Sequence, residues 1–244
     1  MTPYELMIRA NRYLICGSEP ALTDAQKTYI TARLLSARSS AEDCTRFYRG
    51  VRYPENRDSA GRRMYPEFFI PPYQDGKKYR SILGQLPHTH IFSANLYELE
   101  ILRLLFLFSG ADDEIRSMVS HTLKRLKTTC FGNCDDGVGE CFDTSLVVLR
   151  FLAAVAPDQT VWMQSRIENY QNHVNDAQRA GQTPWYYFLC ISELPPSYAH
   201  TILRSDKQHL LSLKTQLEKP SAIILDEFYH PIKCAILHRC ISMI

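Results

Sequence analysis

Residues 130–145, CFGNCDDGVGECFDTS, gather three of the eight cysteines, three of the ten glycines and four acidic side chains. Cys130, Cys134 and Cys141 supply three soft ligands, and His88, His90 or His121 could add a fourth around zinc. The intervals of three and six residues between the thiols depart from the tight paired spacing of structural zinc sites. Calcium fits worse. With Gly137 at the invariant glycine of an EF-hand loop, Gly132 and Cys134 fall where oxygen ligands belong. A reactive thiol is the third possibility, since Cys141 is expected near a helix N-terminus, where N–H groups favour a thiolate. Asp135, Asp136, Glu140 and Asp143 oppose it by raising a neighbouring thiol's pKa. The plainest reading is a glycine turn followed by a helix that Asp143 caps.

A second group lies in residues 46–80. Nine basic residues stand there against four acidic ones, interleaved with eight aromatics. Arginine forks and aromatic faces suit phosphate, carboxylate or single-stranded nucleic acid. Arg49, Arg52, Tyr53, Arg62, Arg63, Tyr79 and Arg80 are the candidate ligand-binding residues, and an anionic or peptide-like partner is expected before nucleic acid. The alternative is that the aromatics anchor the segment while the charges face water.

His88 and His90 end this segment. At i, i+2 in an extended stretch they point to opposite sides, so one of them suits a general base better than both suit one metal. Asp135, Asp136, Glu140, His88 and His90 are therefore the candidate acid–base groups. Glu98 and Glu100 follow on a helix that is apolar nearly all round, where a carboxylate needs a partner. Arg103 stands three residues after Glu100, and Arg150 holds the matching place 47 residues after Arg103.

The elements that must position these groups read as helices. Thr2-Pro3-Tyr4-Glu5 is a capping box with proline at the first helical position. Leu22-Thr23-Asp24-Ala25-Gln26 opens a second helix to about Ala37, and Ser40 a third. Pro54, Pro66, Pro71, Pro72 and Pro87, with Gly61, Gly76 and Gly84, predict a long irregular segment over 52–91, with a short strand allowed over Glu67–Ile70. Helices return over 94–108, after Asp112 and over 143–156. Further helices follow around Trp162, from Thr183, and through LPPSYAHTIL. The interval of 47 residues between two buried-helix hairpins suggests stacked helical repeats.

The run Gly137-Val138-Gly139-Glu140-Cys141-Phe142-Asp143-Thr144-Ser145, followed by LVVLRFL, resembles a recurring element of α/α-toroid proteins. These include class II terpene cyclases, protein prenyltransferase β-subunits and lanthionine-forming cyclases. The D-x-D-D acid motif, the Q-x-x-x-G-x-W signature and the C-H ligand pair of those enzymes are absent. The resemblance implies a fold and transfers no catalytic residue.

The expected architecture is all-α: antiparallel helical hairpins in an α/α repeat or partial toroid, with a long Pro/aromatic-rich loop. One helical domain is expected over 1–244, divided into N-terminal helices (1–51), the irregular insertion (52–91) and hairpin repeats (92–244). A net charge of +2 argues against a strongly polyanion-coated role and leaves local patches open. The N-terminus carries no basic leader and apolar block, and LEILRLLFLF is too short and too charged to span a bilayer. A cytoplasmic protein with reduced thiols and no membrane contact is expected. Three functions remain open: a binding protein using the basic aromatic loop, an α/α-toroid-like enzyme with an acidic and histidine-lined cavity, or a structural or regulatory helical domain.

Overall fold

The computed structural model describes residues 1–17, 20–40, 42–43, 60, 64–69, 73–74, 77–87, 90–133, 139–174, 183–219 and 228–244. Among them are ten helices: α1 (Pro3–Cys16), α2 (Asp24–Leu35), α3 (His90–Ser109), α4 (Asp113–Leu126), α5 (Gly139–Val155), α6 (Thr160–His173), α7 (Thr183–Ser192), α8 (Pro196–Ser205), α9 (Lys207–Leu217) and α10 (His230–Ile241). One antiparallel ladder pairs β1 (Tyr73–Gln74) with β2 (Lys77–Lys78). Residues 67–69, part of the stretch where a strand is allowed, have none; the ladder lies at Tyr73–Gln74 and Lys77–Lys78 instead.

Local chemistry sets the helix starts. Thr2 and Glu5 exchange side-chain and backbone hydrogen bonds across the first turn of α1, and Thr23 with Gln26 does the same for α2. The Asp112 carboxylate accepts from the backbone N–H groups of Glu114 and Ile115 to open α4. Ser40 accepts from the Asp43 N–H, the expected start of a third helix whose body lies outside the described residues. α3 begins at His90, three residues before the expected Ser93.

α5 departs from expectation in an informative way. It starts at Gly139, which takes φ 64°, so Asp143 sits inside the helix and is not its cap. Gly132 is required for a different reason. A Cβ there would lie 2.1 Å from the Leu126 carbonyl oxygen, closer than any side chain tolerates.

Apolar content sorts the helices into two sets. α3, α5 and α7 bury residues on every side, and all ten residues of α7 are buried. A helix apolar all round must lie inside. α1 packs against α3, α3 against α5, α5 against α7, α7 against α10, and α10 returns to α1, so these five contacts close into a cycle. α2 lies on α1 and α3, α4 on α3, α6 on α5, α8 on α7 and α9, and α9 on α10. One continuous apolar cluster joins them, from Leu6 to Cys240. Among the described residues, no helix is long and apolar enough to cross a membrane.

Candidate functional site

Polar groups meet at two levels of the five-helix cycle. The first lies at the helix starts. Tyr4 on α1 donates its hydroxyl to the Arg80 carbonyl (3.0 Å) and accepts from the Arg80 N–H (2.9 Å). Tyr79 stacks on Tyr4 at 3.9 Å, and both present edges to Tyr97 of α3. Gly84 takes φ 91° and passes so close to Tyr229, just before α10, that a Cβ would lie 2.9 Å from that ring. Gln85 donates to Asp143 of α5 (3.0 Å), and Thr183 of α7 donates to the other oxygen of the same carboxylate (2.8 Å). The segment Tyr79–Gln85 thus touches the starts of α1, α5 and α10, packs on Tyr97 two turns into α3, and reaches α7 through Asp143.

Burial pushes the Tyr4 phenol up to about 12, and burial pushes Tyr97 up further. Both are neutral at physiological pH, and Tyr4 is the one that hydrogen-bonds. The Tyr97 hydroxyl is buried with no hydrogen-bond partner among the described residues.

The second level lies deeper. Arg150 of α5 grips Glu193 with Nε and Nη2, both at 2.9 Å, while Nη1 reaches Asn11 of α1 (3.0 Å) and Glu100 of α3. Arg103 of α3 donates to Glu193 at 2.7 Å, and Tyr186 of α7 donates to Glu100. Arg150 is completely buried and Glu100 nearly so. Burial works against ionisation of Glu193, but Arg150 and Arg103 outweigh it and hold its pKa below the usual range. Burial lowers Arg103, and the neighbouring Arg150 cation lowers it further. Burial also disfavours the Arg150 cation, yet Glu100 and Glu193 carry its pKa above the ordinary value. The expected pairing of Glu100 with Arg103 is therefore replaced. Arg150 takes Glu100, and both arginines share Glu193, a residue that neither side chain meets by helical spacing.

These two levels order the cycle. Tyr4 and Asn11, and Asp143 and Arg150, are each seven residues apart, which is two helical turns or about 10.5 Å, and Thr183 precedes Tyr186 on α7. Tyr97 precedes Glu100 and Arg103 in the same sense. In α1, α3, α5 and α7 the first-level residue thus precedes the second-level one in the chain.

A third group ties the irregular segment to α3 and α4. Glu98, fully buried, pairs with Arg125, accepts from Thr122 (3.2 Å) and accepts the Glu67 N–H (2.8 Å). Burial raises the Glu98 pKa against the pull of Arg125. Glu67 in turn meets Arg38 at 2.8 Å and His121 at 2.7 Å. Burial would raise the Glu67 pKa, but His121 and Arg38 hold it below the usual range. Met64 and Phe68 are buried beside these contacts.

The candidates from sequence fall unevenly on this frame. Tyr79 is half-buried in the tyrosine stack, and Arg80 donates to the Gly84 carbonyl at 2.7 Å. Glu140 lies in the first turn of α5, and His90 is the first residue of α3. Cys130 and Cys141 come together, with sulfurs 3.5 Å apart. Arg49, Arg52, Tyr53, Arg62, Arg63, His88, Cys134, Asp135 and Asp136 lie outside the described residues. Among the described residues, no group of three His, Cys, Asp or Glu side chains is arranged to hold a metal ion.

Gln85, Thr183, Asn11 and Glu193 join the site without having been singled out from sequence. Asn11 had a signal, being polar on a face with Met7, Ile8 and Ile15. Glu193 had another, as the first charge after an apolar helix. No protein-family model, curated protein or solved structure matches the chain.

Proposed function

We propose that the chain is a binding protein. Its helical hairpins stack with their inner helices parallel, as an α/α ring, and it holds an anionic or extended ligand through the basic aromatic segment. One observation carries this reading: the axis of the five-helix cycle is already occupied. Asn11, Glu100, Arg103, Arg150 and Glu193 fill one level with hydrogen-bonded polar and charged groups, and the segment from Tyr79 to Gln85 lies at the other. An enzyme of this architecture would use that axis as its substrate cavity, so recognition moves to the segment outside it. Phe68 belongs to the apolar cluster of the helices and Tyr79 packs against it. The segment around them is rich in arginine, and guanidinium groups suit carboxylates and phosphates.

Fluorescence anisotropy with a fluorescein-labelled acidic peptide tests the reading, with a single-stranded oligonucleotide as the comparison probe. Binding should weaken steeply with salt. Arg49→Ala and Arg52→Ala should each reduce affinity about tenfold, the worth of one charge-assisted contact, at unchanged melting temperature. Salt-independent binding, or variants that melt early, would overturn it.

One contact favours an enzyme as the second reading. Gln85 and Asp143 bring the end of the irregular segment onto the start of α5, next to the acidic turn. Acid–base or metal-assisted chemistry would draw on Glu140, Asp135, Asp136 and the histidines at 88 and 90. Stoichiometric metal in the purified protein, lost on Asp135→Asn or Cys134→Ser, would decide for it.

A further inference from the structure

We infer that Cys130 and Cys141 form a reversible dithiol–disulfide site whose oxidant is a hydroperoxide. This inference stands independently of the ligand-binding reading. The two sulfurs are 3.5 Å apart, where a disulfide needs about 2.05 Å, so closure requires a side-chain adjustment and no large rearrangement.

Both positions are built. Cys130 sits in a turn that side chains pin from several sides. Thr129 donates to the Leu126 carbonyl and accepts the Gly132 N–H (3.1 Å), and Asn133 donates to the Lys127 carbonyl (2.9 Å). Trp162 of α6 donates to the Gly132 carbonyl at 2.6 Å. Cys141 is held in the first turn of α5, and Gly132 can follow this path only because it lacks a side chain.

The two thiols divide the work. Cys130 is exposed and meets the oxidant, while Cys141 is half-buried behind it. The Cys130 thiolate attacks one peroxide oxygen, the O–O bond breaks, and hydroxide leaves. Cys130 then carries a sulfenic acid. Cys141 attacks that sulfur, the S–O bond breaks, and water departs as the disulfide forms. Two electrons pass from the thiol pair to the peroxide, and a dithiol reductant returns them. Cys190 and Cys240 take no part, being fully buried, with burial pushing both thiols up.

The sequence supplies a clean assay. Trypsin leaves Cys130, Cys134 and Cys141 on one peptide, because no lysine or arginine lies between Lys127 and Arg150. Cleavage before Asp135 or Asp136 separates Cys141 from the other two. The full chain is treated with one equivalent of hydrogen peroxide, blocked with N-ethylmaleimide and mapped by mass spectrometry. Cys134→Ser is run in parallel, to remove the third thiol of that tryptic peptide.

The expected result in both proteins is a Cys130–Cys141 linked peptide about 2 Da lighter than the dithiol. Dithiothreitol should restore both thiols. Cys130→Ser should abolish the link and leave Cys141 open to alkylation. Three results would overturn the inference: unchanged alkylation of both thiols after peroxide, a link that disappears in Cys134→Ser, or Cys130 driven to sulfinic acid with Cys141 still free.

Discussion

Arg150 carries a full charge into the middle of the helical cycle, and its surroundings explain how. Each of its three nitrogens has an acceptor, and the two carboxylates it touches balance its charge and that of Arg103. Such a cluster adds little net stability when intact, but breaking it strands the partners in a dry interior. Arg150→Leu should therefore cost about 3–5 kcal/mol, read as a lower midpoint in urea denaturation. A loss below about 1 kcal/mol, the range of an exposed ion pair, would show that water reaches Glu100 and Glu193. The arginine itself was visible in sequence as a charge within LVVLRFL. Its partners were not, because Asn11 and Glu193 lie 139 and 43 residues away.

At the scale of elements, capping chemistry was legible because it is local. Thr2, Thr23 and Asp112 do what their spacing implies. Asp143 does not, because Gly139 at positive φ starts α5 one turn early and frees the carboxylate to accept from Gln85 and Thr183. The two aspartates should then behave differently when replaced. Asp112→Ala should cost about 1 kcal/mol, the usual worth of a helix cap. Asp143→Ala should cost little helix stability and should instead speed protease cleavage within residues 79–87, since the link between that segment and α7 is gone. Equal protease resistance in wild type and variant would mean that burial of Ile82 and Leu83 holds the segment alone.

Across the whole molecule, the buried carboxylates set how stability depends on pH. Glu193 and Glu67 both titrate below their ordinary value of 4.5 in the folded state, because arginine or histidine partners outweigh burial. On acidification the unfolded chain takes up these protons first, so their contribution is complete above about 4.5 and drains away below it. Glu98 runs the other way: its raised pKa means that the folded state holds a proton more readily, which softens the acid loss. Glu193→Gln should lower stability at neutral pH and flatten the decline below about pH 4.5 in chemical denaturation. An unchanged acid limb would place the pH dependence elsewhere.

The sequence by itself determined the all-helical class, the buried segments and the caps at Thr2, Thr23 and Asp112, since periodicity and caps act within a few residues of chain. It also marked the carboxylates at 98 and 100 as groups in need of partners and offered Arg103 as one for Glu100. Only the tertiary structure decided the partners. Closing five helices into a cycle brings Asn11, Glu100, Arg150 and Glu193 to one level and Tyr4, Tyr79, Gln85, Asp143 and Thr183 to another. Those distances depend on how the helices pack, and helix packing has no local signature in the chain.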